Sequence, residues 1–133
     1  MERLSFNSKV GYNATEAAIH LARYQLAAPF CAGKRVLDIA CGEGYGSYAI
    51  RQRFGAASVV GIDNVAAAVE TARKLFASDG IEYQVGDAER IDEQLPAASF
   101  DVVVSLETIE HLENPQAFLQ AIRRVAKPDA VII

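Results

Sequence analysis

The chain has 133 residues, 51% of them hydrophobic and 23% charged, which describes one folded domain able to bury a core without disulfide or metal staples. Lys and Arg number 13 against 17 Asp and Glu, and the net charge of −4 disfavours both a nucleic-acid backbone and an anionic membrane surface as partners. The two cysteines, Cys31 and Cys41, form no metal-ligand spacing and no disulfide framework, no apolar run reaches membrane-spanning length, and the start MERLSFNSKV lacks the apolar stretch of a targeting segment, so a reduced, cytoplasmic setting is expected.

Residues 1 to 12 read as a polar arm or lid. Asn13 and Glu16 stand at capping-box spacing, and Ala14, Ala17, Ala18, Leu21, Tyr24 and Ala28 follow a helical stripe that Pro29 is expected to end. Strand-then-helix units come next. RVLDIA (35–40) reads as a strand, followed by a glycine loop and a helix to about Phe54. ASVVGID (57–63) is a second strand, with a helix through Phe76. IEYQVGD (81–87) is a third strand, and FDVVVS (100–105), beyond a polar stretch with Pro96, is a fourth. Asn114 and Pro115 open a further helix as N-cap and first-turn proline, which ends before Pro128, and AVII (130–133) starts a fifth strand. Continuous apolar runs rather than alternating ones mark strands covered on both faces, hence a parallel sheet with crossover helices.

In such sheets ligands bind at the carboxyl ends of the strands, so the residues delivered there matter most. The first strand brings Asp38 and then Cys41-Gly42-Glu43-Gly44-Tyr45-Gly46. The second brings Asp63, the third Asp87 and Ala88, the fourth Ser105, Leu106 and Glu107. Each end offers a carboxylate and none offers Lys or Arg. A single Asp at a strand end is commonly a turn former or N-cap, but a full set points further. The glycine loop departs from GxGxxG, with Ser47 where the last glycine belongs, and Glu43 inside it would repel a diphosphate. The GxxxxGK[ST] phosphate loop is absent. Asp63 lies 21 residues after Gly42, at the ribose-binding position of mononucleotide folds. A ligand with adenosine, positive charge and no phosphate suits this set, and S-adenosylmethionine meets all three demands.

VLDIACGEGYGS resembles the glycine motif of class I S-adenosylmethionine-dependent methyltransferases, of the type 11-like domain. GIDNVAAAVETAR, VGDAERI and FDVVVSLETIEHLENP resemble their second-, third- and fourth-strand motifs, and AKPDAVII the turn and strand that follow. The resemblance covers about residues 34 to 133. It implies a Rossmann-like doubly wound, mostly parallel α/β sheet of order 3-2-1-4-5, here lacking the usual last strands, behind an N-terminal arm and helix over residues 1–33. It implies S-adenosyl-L-methionine as cofactor, with Asp38 near the methionine ammonium and Gly42 and Gly44 against the methionine portion. Asp63 would hold the ribose diol. Asp87 would take the adenine amine, with the Ala88 amide facing the ring and Asn64 where many members place an apolar residue. Ser105 and Leu106 would present backbone to the ammonium. Two other departures stand out. Ala40 replaces the usual first glycine, and Asp129-Ala130 replace a common Gly-Gly turn, where Ala would enter the left-handed region poorly.

Glu107, Glu110 and His111 share a face if helical and resemble the magnesium-binding ExxEH of some small-molecule and RNA-end methyltransferases. Two carboxylates and a His are a thin shell for Mg²⁺, so no metal is expected, and they remain only weak candidates for a catalytic base; the plainer reading packs His111 below the site with the glutamates in solvent. His20 reads as a half-exposed surface residue and Cys41 as a small residue in a tight loop. Tyr12 and Tyr45 are candidates for the cofactor mouth, Tyr48 for ordinary packing. The expected activity is methyl transfer to an unidentified acceptor. NATEAAIHLARYQLA together with the glycine motif is similar to methyltransferase domains of bacterial polysaccharide clusters, so a small molecule or saccharide is the acceptor class in view. A non-catalytic cofactor-binding module and a dinucleotide-dependent oxidoreductase stay open as alternatives. Because the chain stops in its fifth strand, a truncated or minimal form is expected, one that pairs through that open edge into a homodimer.

Overall fold

The computed structural model describes residues 14–106 and 108–133, so the arm, Asn13, Tyr12 and Glu107 lie outside the described residues, as do the side chains of Glu16 and Glu110. Helix α1 spans Ala14–Gln25 and a short α2 spans Ala28–Cys31. Then follow β1 (Arg35–Ile39), α3 (Tyr45–Gln52), β2 (Ser58–Asp63), α4 (Ala66–Leu75), β3 (Ile81–Val85), a 3₁₀ segment over Ala88–Glu93, β4 (Phe100–Val104), a 3₁₀ turn over Ile109–His111, α5 (Pro115–Val125) and β5 (Ala126–Ile132). The strands pair in the order β3-β2-β1-β4-β5, all parallel, as expected from the resemblance.

Continuous burial explains the order. β1, β2 and β4 are apolar on both faces and take the centre, whereas β3 alternates buried and open residues and β5 is mostly open, so both lie at edges. One face carries Leu37, Ile39, Ile62 and Val103 against Phe118, Ala121, Ile122 and Val125 of α5. The other carries Val36, Val59, Val102 and Val104 against Tyr24, Ala27, Cys31 and Ile50 from α1, α2 and α3. A smaller cluster of Val69, Ala72, Tyr83 and Cys41 seats α4. Alternation along β1 therefore turns Leu37 and Ile39 toward α5, and Asp38 toward α1 and α3.

Three local expectations are corrected. Pro29 does not end the first helix, which stops at Gln25; Pro29 sits in the first turn of α2, where its missing N–H costs nothing. β5 begins at Ala126, directly after α5, rather than at 130. Its register jumps from Phe100↔Ala126 to Val102↔Val131, leaving a bulge around Pro128 that Lys127 pins by an ion pair to Asp101 at 2.9 Å. Asp129 and Ala130 are extended in that strand, so no left-handed turn is asked of either. Asn114 caps α5 as expected, its side chain accepting the Ala117 amide at 3.1 Å.

Ala40 does occupy the left-handed region, at φ 62°. A Cβ there costs about 1–2 kcal/mol, partly offset by the extra unfolded-state entropy of glycine. Ala40→Gly is expected to raise stability by about 0.5–1 kcal/mol, read as a higher urea midpoint at unchanged m value.

Candidate functional site

The carboxyl ends of β1, β2 and β3, with the segment after β4, surround a cleft of about 290 Å³. Its floor is Ile39, Ala40 and Ile62, its polar wall Asp63, Asn64, Asp87 and Ala88 with Gly86, and its far wall Thr108, His111 and Leu112. No Lys or Arg is among these lining residues. The cleft lies at the carboxyl ends of the parallel strands beside β1, near the point where the strand order reverses between β1 and β4, the place such folds offer to nucleotides.

Asp63 is the buried anchor of this wall, 1% exposed. Its Oδ2 accepts the Gly42 amide at 2.9 Å and its Oδ1 accepts the Val65 amide at 3.0 Å. The same carboxylate thus shapes the glycine loop and the start of α4. A carboxylate fixed in this way in the cleft wall is the kind of acceptor that a pair of vicinal hydroxyls asks for. Gly86 donates to the Asp63 carbonyl at 3.0 Å and brings the end of β3 alongside. Asp87 Oδ1 accepts the Glu89 amide at 2.9 Å, which makes it the N-cap of the 3₁₀ segment. Asp87 is exposed in the cleft wall, and the cap uses one of its two carboxylate oxygens.

The glycine loop is held tightly. Gly44 has φ 100°, and a Cβ there would lie 2.7 Å from Ala72 Cβ, while the Tyr83 hydroxyl donates to the Gly44 carbonyl at 3.2 Å. Gly46 lies under the Tyr24 ring. Glu43 is buried in the loop, and Cys41 is buried with Sγ 3.6 Å from the Gly42 carbonyl, a small residue in a tight turn.

Asp38 lies on the helical side of the sheet and is 1% exposed. Ser47 Oγ donates to its Oδ2 at 2.6 Å, and the Tyr24 hydroxyl reaches both oxygens at 3.2 Å. Burial pushes its carboxyl up to about 7, opposed by the hydrogen bonds from Ser47 and Tyr24 and reinforced by the Asp63 charge. The folded chain therefore keeps a proton that the unfolded chain, with the ordinary value of 3.8, gives up. The resulting stability is fully present below pH 4 and is lost as pH rises to about 7. The size is about 3–4 kcal/mol. Asp38→Asn is expected to abolish that decline: urea unfolding of the ligand-free variant at pH 5 and pH 8 should show a smaller drop than the unaltered chain.

The structure brings Asp63, Asn64, Asp87 and Ala88 of the expected set to one cleft. Asp38, Gly42, Gly44, Ser105 and Leu106 lie outside its lining. Ser105 donates its amide to the Ile133 carbonyl at 2.8 Å, and its Oγ is buried with no hydrogen-bond partner. Leu106 packs with the core behind β4. His111 is exposed on the cleft wall rather than packed beneath it. His20 is half-buried edge-on to Tyr45, and Tyr48 packs on Phe76 at 5.6 Å, away from the cleft. Sequence reasoning missed Tyr24 and Ser47 as partners of Asp38, and Thr108 and Leu112 in the wall. Ser47 carried a signal, since a hydroxyl where a glycine motif ends faces the preceding strand; Tyr24 carried none beyond its helical stripe.

A family model described as a methyltransferase domain matches residues 37–133. The ubiquinone biosynthesis O-methyltransferase of Pseudomonas aeruginosa strain LESB58 is 42% identical over 99 residues, covering 73% of this chain and 41% of that protein. The enzyme of the same name from Neisseria meningitidis serogroup A is 41% identical over 103 residues, covering 75% and 42%. This chain thus spans about two fifths of the length of these curated relatives. Among solved structures, a chain from the complex of the Haloferax volcanii Trm112 methyltransferase activator with a methyltransferase superposes with a TM-score of 0.75 at 26% identity, over 89% of this chain and 53% of its own. An S-adenosylmethionine-dependent methyltransferase from Mesorhizobium loti shares the fold, with a TM-score of 0.71 at 24% identity over 80% of this chain and 48% of its own. The motif order, the sheet order and the matched span agree, and the chain belongs to the methyltransferase domain family of class I S-adenosylmethionine-dependent enzymes.

Proposed function

We propose that this chain binds S-adenosylmethionine along the carboxyl edge of its sheet and directs methyl transfer to a hydroxyl of a small-molecule acceptor, a saccharide among the classes in view. The observation that carries the reading is the Asp63 carboxylate, buried, anchored by two loop amides, and set in a cleft wall without Lys or Arg. Such a wall accepts ribose hydroxyls and an exocyclic amine and gives a diphosphate nothing to pair with. That, with Glu43 in the glycine loop, argues against a dinucleotide oxidoreductase.

The residues present fit the group. Asp63 would hold the ribose diol, Asp87 and the Ala88 amide the adenine edge, and Asn64 the rim. Gly42 and Gly44, with the Ser105 and Leu106 backbone, would bound the methionine end. The unpartnered Ser105 Oγ supplies a polar group on that side. The bound cofactor supplies an electrophilic methyl on a sulfonium, a leaving group that departs as a neutral thioether. The chain's own task is to hold the acceptor oxygen in line and to take its proton. His111 is the titratable base that the cleft wall displays, and we assign it that proton. The O-methyltransferase names of the relatives support oxygen as the methylated atom. No helix among the described residues is long and apolar enough to cross a membrane.

Incubation with methyl-labelled S-adenosylmethionine and a panel of hydroxylated small molecules tests the reading. Label is expected in an ether product that survives mild base, and His111→Ala should lower kcat by about 10²-fold or more with little change in cofactor affinity. Cofactor binding without transfer to any acceptor would leave a binding module instead.

A further inference from the structure

Asp38 is a buried carboxyl, and no cation among the described residues neutralises it. Two hydroxyls hold it: Ser47 of α3 on Oδ2 at 2.6 Å, and Tyr24 of α1 on both oxygens at 3.2 Å. Tyr24 is 7% exposed, and its ring lies so closely on Gly46 that a Cβ there would sit 2.1 Å from Tyr24 Cζ. One side chain of the N-terminal helix therefore touches both the loop that the function requires and the charge beneath it. Elsewhere among the described side chains of that helix Ile19 is 46% exposed, and Leu26, just past its end, is 63% exposed.

We propose that Tyr24 is a positioning residue for the cofactor: with Ser47 it orients the Asp38 carboxyl under the glycine loop and favours its ionised form, and so ties the docking of the N-terminal helix to the binding of the ligand's ammonium end. The inference rests on the reading that the loop holds S-adenosylmethionine. A buried anion acts on a nearby cation far more strongly than a solvated one, so the ligand's positive end and the ionised Asp38 stabilise each other. By linkage, whatever favours the ionised carboxylate favours the ligand, and the ligand in turn favours the helix that supplies Tyr24.

Among the described residues, Asp63 faces Asp38 from the end of β2, Cys41 and Tyr45 lie in and after the loop, and Cys31 comes from α2; none of these is cationic. Gly61 and Val104 are its sheet neighbours and do not titrate. Burial raises the carboxyl and the two hydroxyls lower it, so loss of either hydroxyl raises it further.

Calorimetry with S-adenosylhomocysteine from pH 6 to 9 tests this, using the unaltered chain, Tyr24→Phe, Ser47→Ala and Asp38→Asn. Tyr24→Phe keeps the ring on Gly46 and removes only the hydroxyl. In the unaltered chain affinity is expected to rise with pH through about 7. In Tyr24→Phe and in Ser47→Ala the rise should move upward by about one pH unit, giving about a ninefold loss at pH 6 and about a fivefold loss at pH 7 that shrinks to under about twofold at pH 9. Asp38→Asn should bind weakly and without that pH dependence. A carbon-13 titration of the Asp38 carboxyl in the ligand-free chain reads the same shift directly. A uniform loss at every pH, or a carboxyl that titrates unchanged in Tyr24→Phe, would overturn the inference while leaving the functional reading intact. No binding by the unaltered chain at any pH would overturn both.

Discussion

Asp63→Ala is expected to weaken binding of S-adenosylhomocysteine by more than about tenfold and to destabilise the ligand-free chain by about 2–4 kcal/mol. Two effects combine. The carboxylate that would accept the ribose hydroxyls is removed, and a hydrogen bond to a charged group is worth about 1.5–3 kcal/mol. The amides of Gly42 and Val65 also lose their acceptor, and an unsatisfied buried donor costs about 1–3 kcal/mol. Urea unfolding without ligand isolates the second effect, and calorimetry at low temperature, where the variant stays folded, reads the first. A folded variant with unchanged affinity would remove Asp63 from the site.

Gly46→Val is the second large effect. The new Cβ would meet three ring atoms of Tyr24 at 2.1, 2.4 and 2.5 Å, and those atoms belong to a ring wedged between α1 and the core rather than to a free side-chain end. The ring must leave, and with it the hydroxyl on Asp38. A loss of about 3 kcal/mol or more is expected, at the upper end for overpacking, together with faster hydrogen exchange along α1. Tyr24→Ala in the same chain should recover part of that loss. A double-mutant cycle with a coupling of about 1 kcal/mol or more confirms the contact, and strict additivity would deny it.

Much of the sheet was legible before the structure. RVLDI, SVVGID and FDVVV are apolar at nearly every position, which only a strand covered on both faces demands, and these three form the centre. Asn114 and Pro115 announced α5 because capping is local chemistry. β5 was less legible. Lys127, Pro128 and Asp129 read as a loop, and only the pairing with β4 shows that they bulge from a strand already begun at Ala126. Pro29 misled for a related reason, since a proline that ends one helix and a proline that opens the next look alike without the turn between them.

The site divides along the same line. Asp63 and Asp87 sit at strand ends, so strand prediction alone delivered them to the cleft wall. The glycines were read as room for a ligand, yet Gly44 and Gly46 are held by Ala72, Tyr83 and Tyr24, which are contacts between elements distant in sequence. Tyr24 stood in the apolar stripe of α1, and nothing in that stripe distinguishes a ring that fills the core from one whose hydroxyl ends on a buried carboxylate. Thr108 and Leu112 entered the wall through the path of the segment after β4, which no local pattern specifies.

The central claim is that this sheet edge takes an adenosine ligand that carries an amino-acid ammonium and no phosphate. Paired calorimetric titrations of S-adenosylhomocysteine and NADH into the unaltered chain at pH 8 test it most directly. The account predicts one saturable site for S-adenosylhomocysteine and no measurable heat from NADH. Saturable binding of NADH with none of S-adenosylhomocysteine would contradict it.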